Sequence, residues 1–159
     1  MKIKATLLFC IVSLLFGCIK TTLEVKLPVT DEITFVSLTV ETTAPLWSEK
    51  FYQGLADRTS LDGGMLFDFE ETVTFGFQMR ETLIPLSIVF ISTDLIIVDI
   101  QEMEPLSEVV YDPAEPYRYA VEVNQGYFKN NNIQVGDRIE FKDSNATGEI
   151  TIKFFKRGK

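Results

Sequence analysis

Glu81, Asp99 and Glu122 are carboxylates whose type suits acid–base work. Two of them held about 5 to 9 Å apart could serve as the proton donor and the base or nucleophile of a glycoside hydrolase. Glu122, however, falls on the polar side of the alternating stretch Tyr117 to Val123, where a surface carboxylate is the plain alternative. A second set, Arg58, Arg80, Glu81, Glu122 and Asn124, could line one polar groove, with a guanidinium gripping a carboxylate or phosphate through two parallel hydrogen bonds. The same side chains could instead pin loops to the body of the domain. Met65, Met79 and Met103 are soft enough for copper(I), but the chain has no His, and Met79 alternates in step with Phe75 and Phe77 as core residues do. Asp94, Asp99, Asp112 and Asp143 lack calcium-loop spacing, and Gly63-Gly64 and Gly136-Asp137 read as turns, not as a phosphate loop. No catalytic residue, metal or cofactor is assigned.

The remaining reactive group is a thiol. Met1-Lys2-Ile3-Lys4 is positively charged, Ala5 to Phe16 is apolar, and Leu15-Phe16-Gly17-Cys18 ends the run with a small residue before a cysteine. This is the layout of a secretory signal, and its last four residues resemble the lipobox of bacterial lipoproteins. That resemblance implies cleavage before Cys18 and transfer of a diacylglycerol to its sulfur. The apolar run is short of the roughly 20 residues a spanning helix needs. Cys10 would leave with residues 1–17, so the mature chain would keep a single, acylated cysteine and no disulfide. The expected partners are a membrane, reached through the lipid, and an envelope protein or small ligand; the expected location is the periplasm or cell exterior.

Residues 18–31 read as a tether and 32–159 as one β-rich domain. Glu32 to Glu41 is a strand by composition. Thr42, Thr43 and Pro45 open a helix whose stripe is Trp47, Phe51 and Leu55, about three turns long. Met65 to Phe69 is strand-like, with a turn at Asp68 to Glu71. Val73, Phe75, Phe77 and Met79 alternate with polar residues and predict the clearest strand of the chain. Ile84 to Ile91 and Leu95 to Met103 predict a hairpin buried on both faces, with Pro85 at a strand start. Glu102 to Tyr117 reads as a loop, Tyr117 to Val123 as a strand, Gln125 to Asn132 as a short helix or turn, and Arg138 to Phe141 and Glu149 to Phe155 as closing strands. About eight strands in series with one helix exclude a doubly wound fold and favour a mainly β sandwich or small barrel. The basic end (Lys153, Lys156, Arg157, Lys159) reads as a solvated terminus and Asn145-Ala146-Thr147 as a chance sequon.

Composition narrows the functions. The chain has 159 residues, 46% of them hydrophobic, with 13 Phe and a net charge of -8, so it folds rather than staying disordered. A pI near 4.6 opposes nucleic acid as partner, because phosphate binding needs clustered Lys and Arg. Without His there is no histidine-based triad, zinc site or pH switch.

Four stretches resemble a family known as domain of unknown function 192, or uncharacterised protein family 0127. Gly54-Leu55-Ala56-Asp57-Arg58 is similar to its Gly-Leu-Met-x-Arg, and Gly64-Met65-Leu66-Phe67-Asp68-Phe69 to its Gly-Met-Leu-Phe-x-Phe. The run from Phe77 to Ile91 is similar to its Phe-Trp-Met-Lys-Asn-Thr-x-Ile-Pro-Leu-Asp-Ile-x-Phe-Ile signature. Tyr119 to Gly126 and Gly136-Asp137 are similar to its ending. The likeness covers roughly Leu38 to Phe141 and implies a jelly-roll-like β-sandwich with no established activity. Gln78, Glu81 and Ser87 replace the signature's Trp, Asn and Asp, and Ala56 replaces its helix-motif Met. The combined expectation is an envelope lipoprotein whose sandwich is a non-catalytic binding module, with an envelope glycan hydrolase using Glu81 or Glu122 as the alternative.

Overall fold

The computed structural model of the protein describes residues 34–44, 46, 48–143 and 150–156. The signal segment, Cys18, the tether, Trp47, the Asn145 sequon and residues 157–159 lie outside the described residues. In chain order the elements are β1 (Phe35–Thr42), α1 (Glu49–Gln53), β2 (Gly64–Val73), β3 (Phe77–Gln78), β4 (Leu86–Ile91), β5 (Ile97–Met103), β6 (Val110–Tyr111), β7 (Tyr117–Asn124), α2 (Tyr127–Asn130), β8 (Arg138–Asp143) and β9 (Ile150–Phe155). Seven strands form one sheet in the order β5-β4-β7-β2-β1-β9-β8, and β3 pairs with β6 in a small second sheet. The expected mainly β, sandwich-like fold is therefore found.

Pairing is antiparallel except between β1 and β2. Parallel neighbours cannot share a tight turn, so the chain crosses between them through α1. The long sheet curls until its edges meet: Ile139 N donates to Leu95 O at 2.8 Å, and Ile97 N donates to Asp137 O at 2.9 Å. That contact covers backbone groups a free edge would leave open.

Curling creates two apolar layers. One joins Val89, Ile91, Val121 and Val123 to Phe128, Ile139 and Phe154. The other joins Met65, Phe67, Phe69, Ile88 and Phe90 to Phe51 and Leu55 of the α1 region, with Phe77 and Tyr111 of the small sheet packed against it. Strands β2, β4 and β7 are thus covered on both sides, and every residue of β4 is buried. All three methionines considered above, Met65, Met79 and Met103, lie in the second layer.

Several elements differ from expectation. The period-two segment 73–79 is not one strand: Val73 ends β2, residues 74–76 are irregular, and only Phe77–Gln78 pair, with Tyr111 and Val110. A Cβ on Gly76 would lie 2.7 Å from Tyr111 O and 2.6 Å from Asp112 Oδ1, so the backbone here is pressed against β6. The turn expected at Asp68–Glu71 is instead a register break inside β2, with Glu70 at φ 61°. Helix α1 spans five residues, not three turns, and ends at Gly54 with φ 49°. The hairpin expected to be buried on both faces is so in β4, while the middle of β5 is half-buried. Glu122 is not on a polar surface. The alternation of β7 separates two apolar layers, not core from solvent.

Candidate functional site

A pocket of about 370 Å³ opens between the α1 turn, strands β2 and β7, and segment 75–78. Its walls are aromatic. Phe51 comes from α1, whose N-terminus is fixed by Ser48: the Phe51 N–H donates to Ser48 Oγ at 3.2 Å. Phe67 and Phe69 come from β2, and Phe75 and Phe77 from the segment leading into β3. These rings meet edge to face, with centroids 5.2 Å apart for Phe51–Phe69 and 5.1 Å for both Phe67–Phe77 and Phe69–Phe75. Behind them the buried Tyr117 hydroxyl donates to Phe75 O at 2.9 Å and pins that wall. Burial pushes the Tyr117 phenol well above its ordinary range, so it remains a donor. Gly54 forms part of the mouth: a Cβ there would sit 3.0 Å from Phe67 Cζ and 3.8 Å from Glu122 Oε2.

Glu122 sets the chemistry of this pocket. Its cross-strand neighbours are Met65 on β2 and Ile88 on β4, both in the apolar layer. The side chain is 5% exposed and lines the pocket. Among the described residues it has no hydrogen-bond or ion-pair partner, and it is the only carboxylate lining the cavity. Loss of water around the anion pushes its pKa up to about 8, so near neutral pH the group is mostly a carboxylic acid. A buried, unpaired acid facing an aromatic chamber can donate or accept a hydrogen bond, or ionise when a cation arrives.

The five residues grouped by the sequence reading do not meet in one groove. Arg58 and Glu81 line a second, polar groove with Glu41, Lys50 and Asp57. There the Arg58 guanidinium is already held by both oxygens of Glu41, one of the two bonds being 3.1 Å. Glu81 accepts the Asp57 N–H through its backbone oxygen at 2.8 Å. Arg80 is exposed in the turn after β3 and lines neither cavity. Asn124 donates to Leu61 O at 2.8 Å and ties a loop to the end of β7. Asp99 is likewise occupied, accepting from Ile100 N, Gln101 Nε2 and Ala114 N. Glu122 and Glu81 therefore open into different cavities.

The aromatic chamber has no linear signature, because its rings are ordinary core residues when met one by one along the chain. The signal was present in another form. The stretches that carry the family resemblance each send residues to this pocket: Gly54 and Leu55, Phe67 and Phe69, Phe77, Gln78 and Thr82, and Glu122. Gln78, standing where the signature has Trp, is one of its wall residues. Ser87, where the signature has Asp, is fully buried elsewhere; it donates to Glu102 Oε2 at 2.7 Å and accepts from Gly126 N at 2.8 Å. The Glu102 carboxylate also accepts from Gly126 N at 3.1 Å.

Residues 29–141 match the profile of the DUF192 family, described as Uncharacterized ACR. Two crystal structures are similar. One is of a proposed transcription regulator from Sinorhizobium meliloti 1021, 31% identical, with a TM-score of 0.58, covering 67% of this chain and 95% of that one. The other is of a protein of unknown function from Novosphingobium aromaticivorans DSM 12444, 27% identical, with a TM-score of 0.57, covering 77% of this chain and 98% of that one. No curated protein matches.

Proposed function

The chain belongs to the DUF192 family of uncharacterised proteins, and from that premise we propose an exported lipoprotein, anchored through acylated Cys18, whose domain binds a small ligand in the aromatic pocket at Glu122. The observation that carries the binding role is convergence: separate family-like stretches, distant in the chain, meet at one concave site of aromatic rings and a few polar groups with a single buried carboxylate. Pockets of this composition hold ligands by shape and burial and orient them by a few polar groups. A glycan hydrolase needs a second carboxylate across the same cavity, and Glu81 opens into the other groove. A net charge of -8 opposes DNA phosphates and so argues against the DNA-binding role that a transcription regulator, as the S. meliloti neighbour is described, would need. Gln78 in the pocket wall gives this chain a lining different from the signature's Trp, and so a different ligand preference.

Thermal-shift screening of the full-length protein against a library of small metabolites tests the pocket. Ligands that raise the melting temperature of the wild type should lose their effect on Gln78→Trp, which places an indole in the cavity wall. Hits that stabilise both proteins equally would show that binding lies elsewhere.

A further inference from the structure

Resting on the reading of this pocket as a ligand site, we propose that its ligand is a small organic cation, an alkylammonium or quaternary ammonium group held against the aromatic walls with Glu122 as counter-ion. Glu122 is 5% exposed, faces the cavity and has no partner among the described residues. No Lys or Arg is among the described residues that line the chamber, so nothing there supplies the missing positive charge. Phe51, Phe67, Phe69, Phe75 and Phe77 surround the same space. Aromatic faces carry negative potential and attract cations within about 6 Å of the ring centre. Both cation–π pairs among the described residues, Arg118 with Tyr119 and Lys153 with Phe35, lie away from these rings. An ionised Glu122 repels an anion, and a neutral ligand gains at most a hydrogen bond from the acid, whereas a cation gains from both the ring faces and the ionised carboxylate. The volume of about 370 Å³ admits a trimethylammonium group with a short substituent.

Binding should be linked to a proton. The other titratable side chain lining the pocket is Tyr52 on α1; β2, β3 and β4 face Glu122 with Met65 and Phe67, Gln78, and Ile88. Burial keeps Glu122 protonated up to about pH 8, so a cation displaces its proton to solvent. Affinity for a cation should rise nearly tenfold per pH unit from pH 6 to 7 and level off above 8.

Calorimetric titration of the full-length protein with choline, tetramethylammonium and 3,3-dimethylbutan-1-ol (the neutral carbon isostere of choline) tests this at pH 6, 7 and 8.5. The expected result is choline binding at least tenfold tighter than the alcohol at pH 8.5, with proton release seen as a buffer-dependent heat. Glu122→Gln should lose at least tenfold in choline affinity and its pH dependence, while its affinity for the alcohol is retained. Equal binding of choline and the alcohol, or choline binding unchanged in Glu122→Gln, overturns the cation assignment and leaves the pocket as a ligand site. Binding of none of the three overturns the cation assignment and leaves the pocket to the metabolite screen; binding unaffected by Gln78→Trp places the ligand outside the pocket and overturns both.

Discussion

Glu122→Gln removes a buried titration while nearly preserving side-chain volume, and its effect on stability can be worked out in advance. In the unfolded chain the carboxyl titrates near 4.5, and in the folded protein burial raises it to about 8. Between these values the folded state holds a proton that the unfolded state has lost. Stability from this group is therefore complete below pH 4.5 and declines as pH rises through 8. At about 1.4 kcal/mol per pH unit the whole decline is on the order of 5 kcal/mol, of which about 4 falls between pH 5 and 9. That is a large share of the 5–15 kcal/mol typical of a domain. Urea unfolding of both proteins at pH 5, 7 and 9 isolates the term, because other titrations cancel in the difference. The wild type should lose about 4 kcal/mol relative to Glu122→Gln from pH 5 to 9, more than half of it before pH 7. Parallel curves, with a difference constant to within about 1 kcal/mol, would refute the reasoning, since they require a solvated or paired carboxylate in the folded state.

Gly54→Ala should cost about 1–2 kcal/mol, because φ 49° is unfavourable for a Cβ that also meets Phe67 Cζ at 3.0 Å; chemical denaturation measures it. Arg58→Ala should cost less than about 1 kcal/mol and leave pocket binding intact, since its ion pair with Glu41 is about 40% exposed on both sides and belongs to the other groove; the same denaturation and titration experiments check both parts. Ser87→Ala should cost about 1–2 kcal/mol by removing a buried hydroxyl that bonds Glu102 and Gly126, again read from urea midpoints. In cells given a fatty-acid analogue, Cys18→Ser should abolish labelling of the protein; equal labelling of wild type and variant would remove the lipid anchor from the proposal.

Much of the architecture was legible in order along the chain. Alternation and β-branched or aromatic composition marked β2, β4, β5, β7, β8 and β9, and the lack of alternating helices pointed to a mainly β fold. The 73–79 segment misled because its period of two describes alternating side chains, while the strand partner it takes, Val110 and Tyr111, lies more than thirty residues later and pairs with Phe77 and Gln78 alone. The aromatic rings were visible as core candidates, but their convergence required β2, β3 and α1 to be brought together.

The sequence by itself determined the class of fold, the family-like motifs and the shortage of reactive groups, because these depend on residue type and local spacing. Only the tertiary structure decided what Glu122 is. On a strand with one wet face, a residue at that position in the alternation would be a solvated carboxylate with an ordinary pKa. In β7 both faces are covered, since the curled sheet packs one layer inside and α1 with the small sheet pack on the other. The same alternation therefore sends Glu122 into an aromatic pocket, where burial makes its charge costly and its chemistry available.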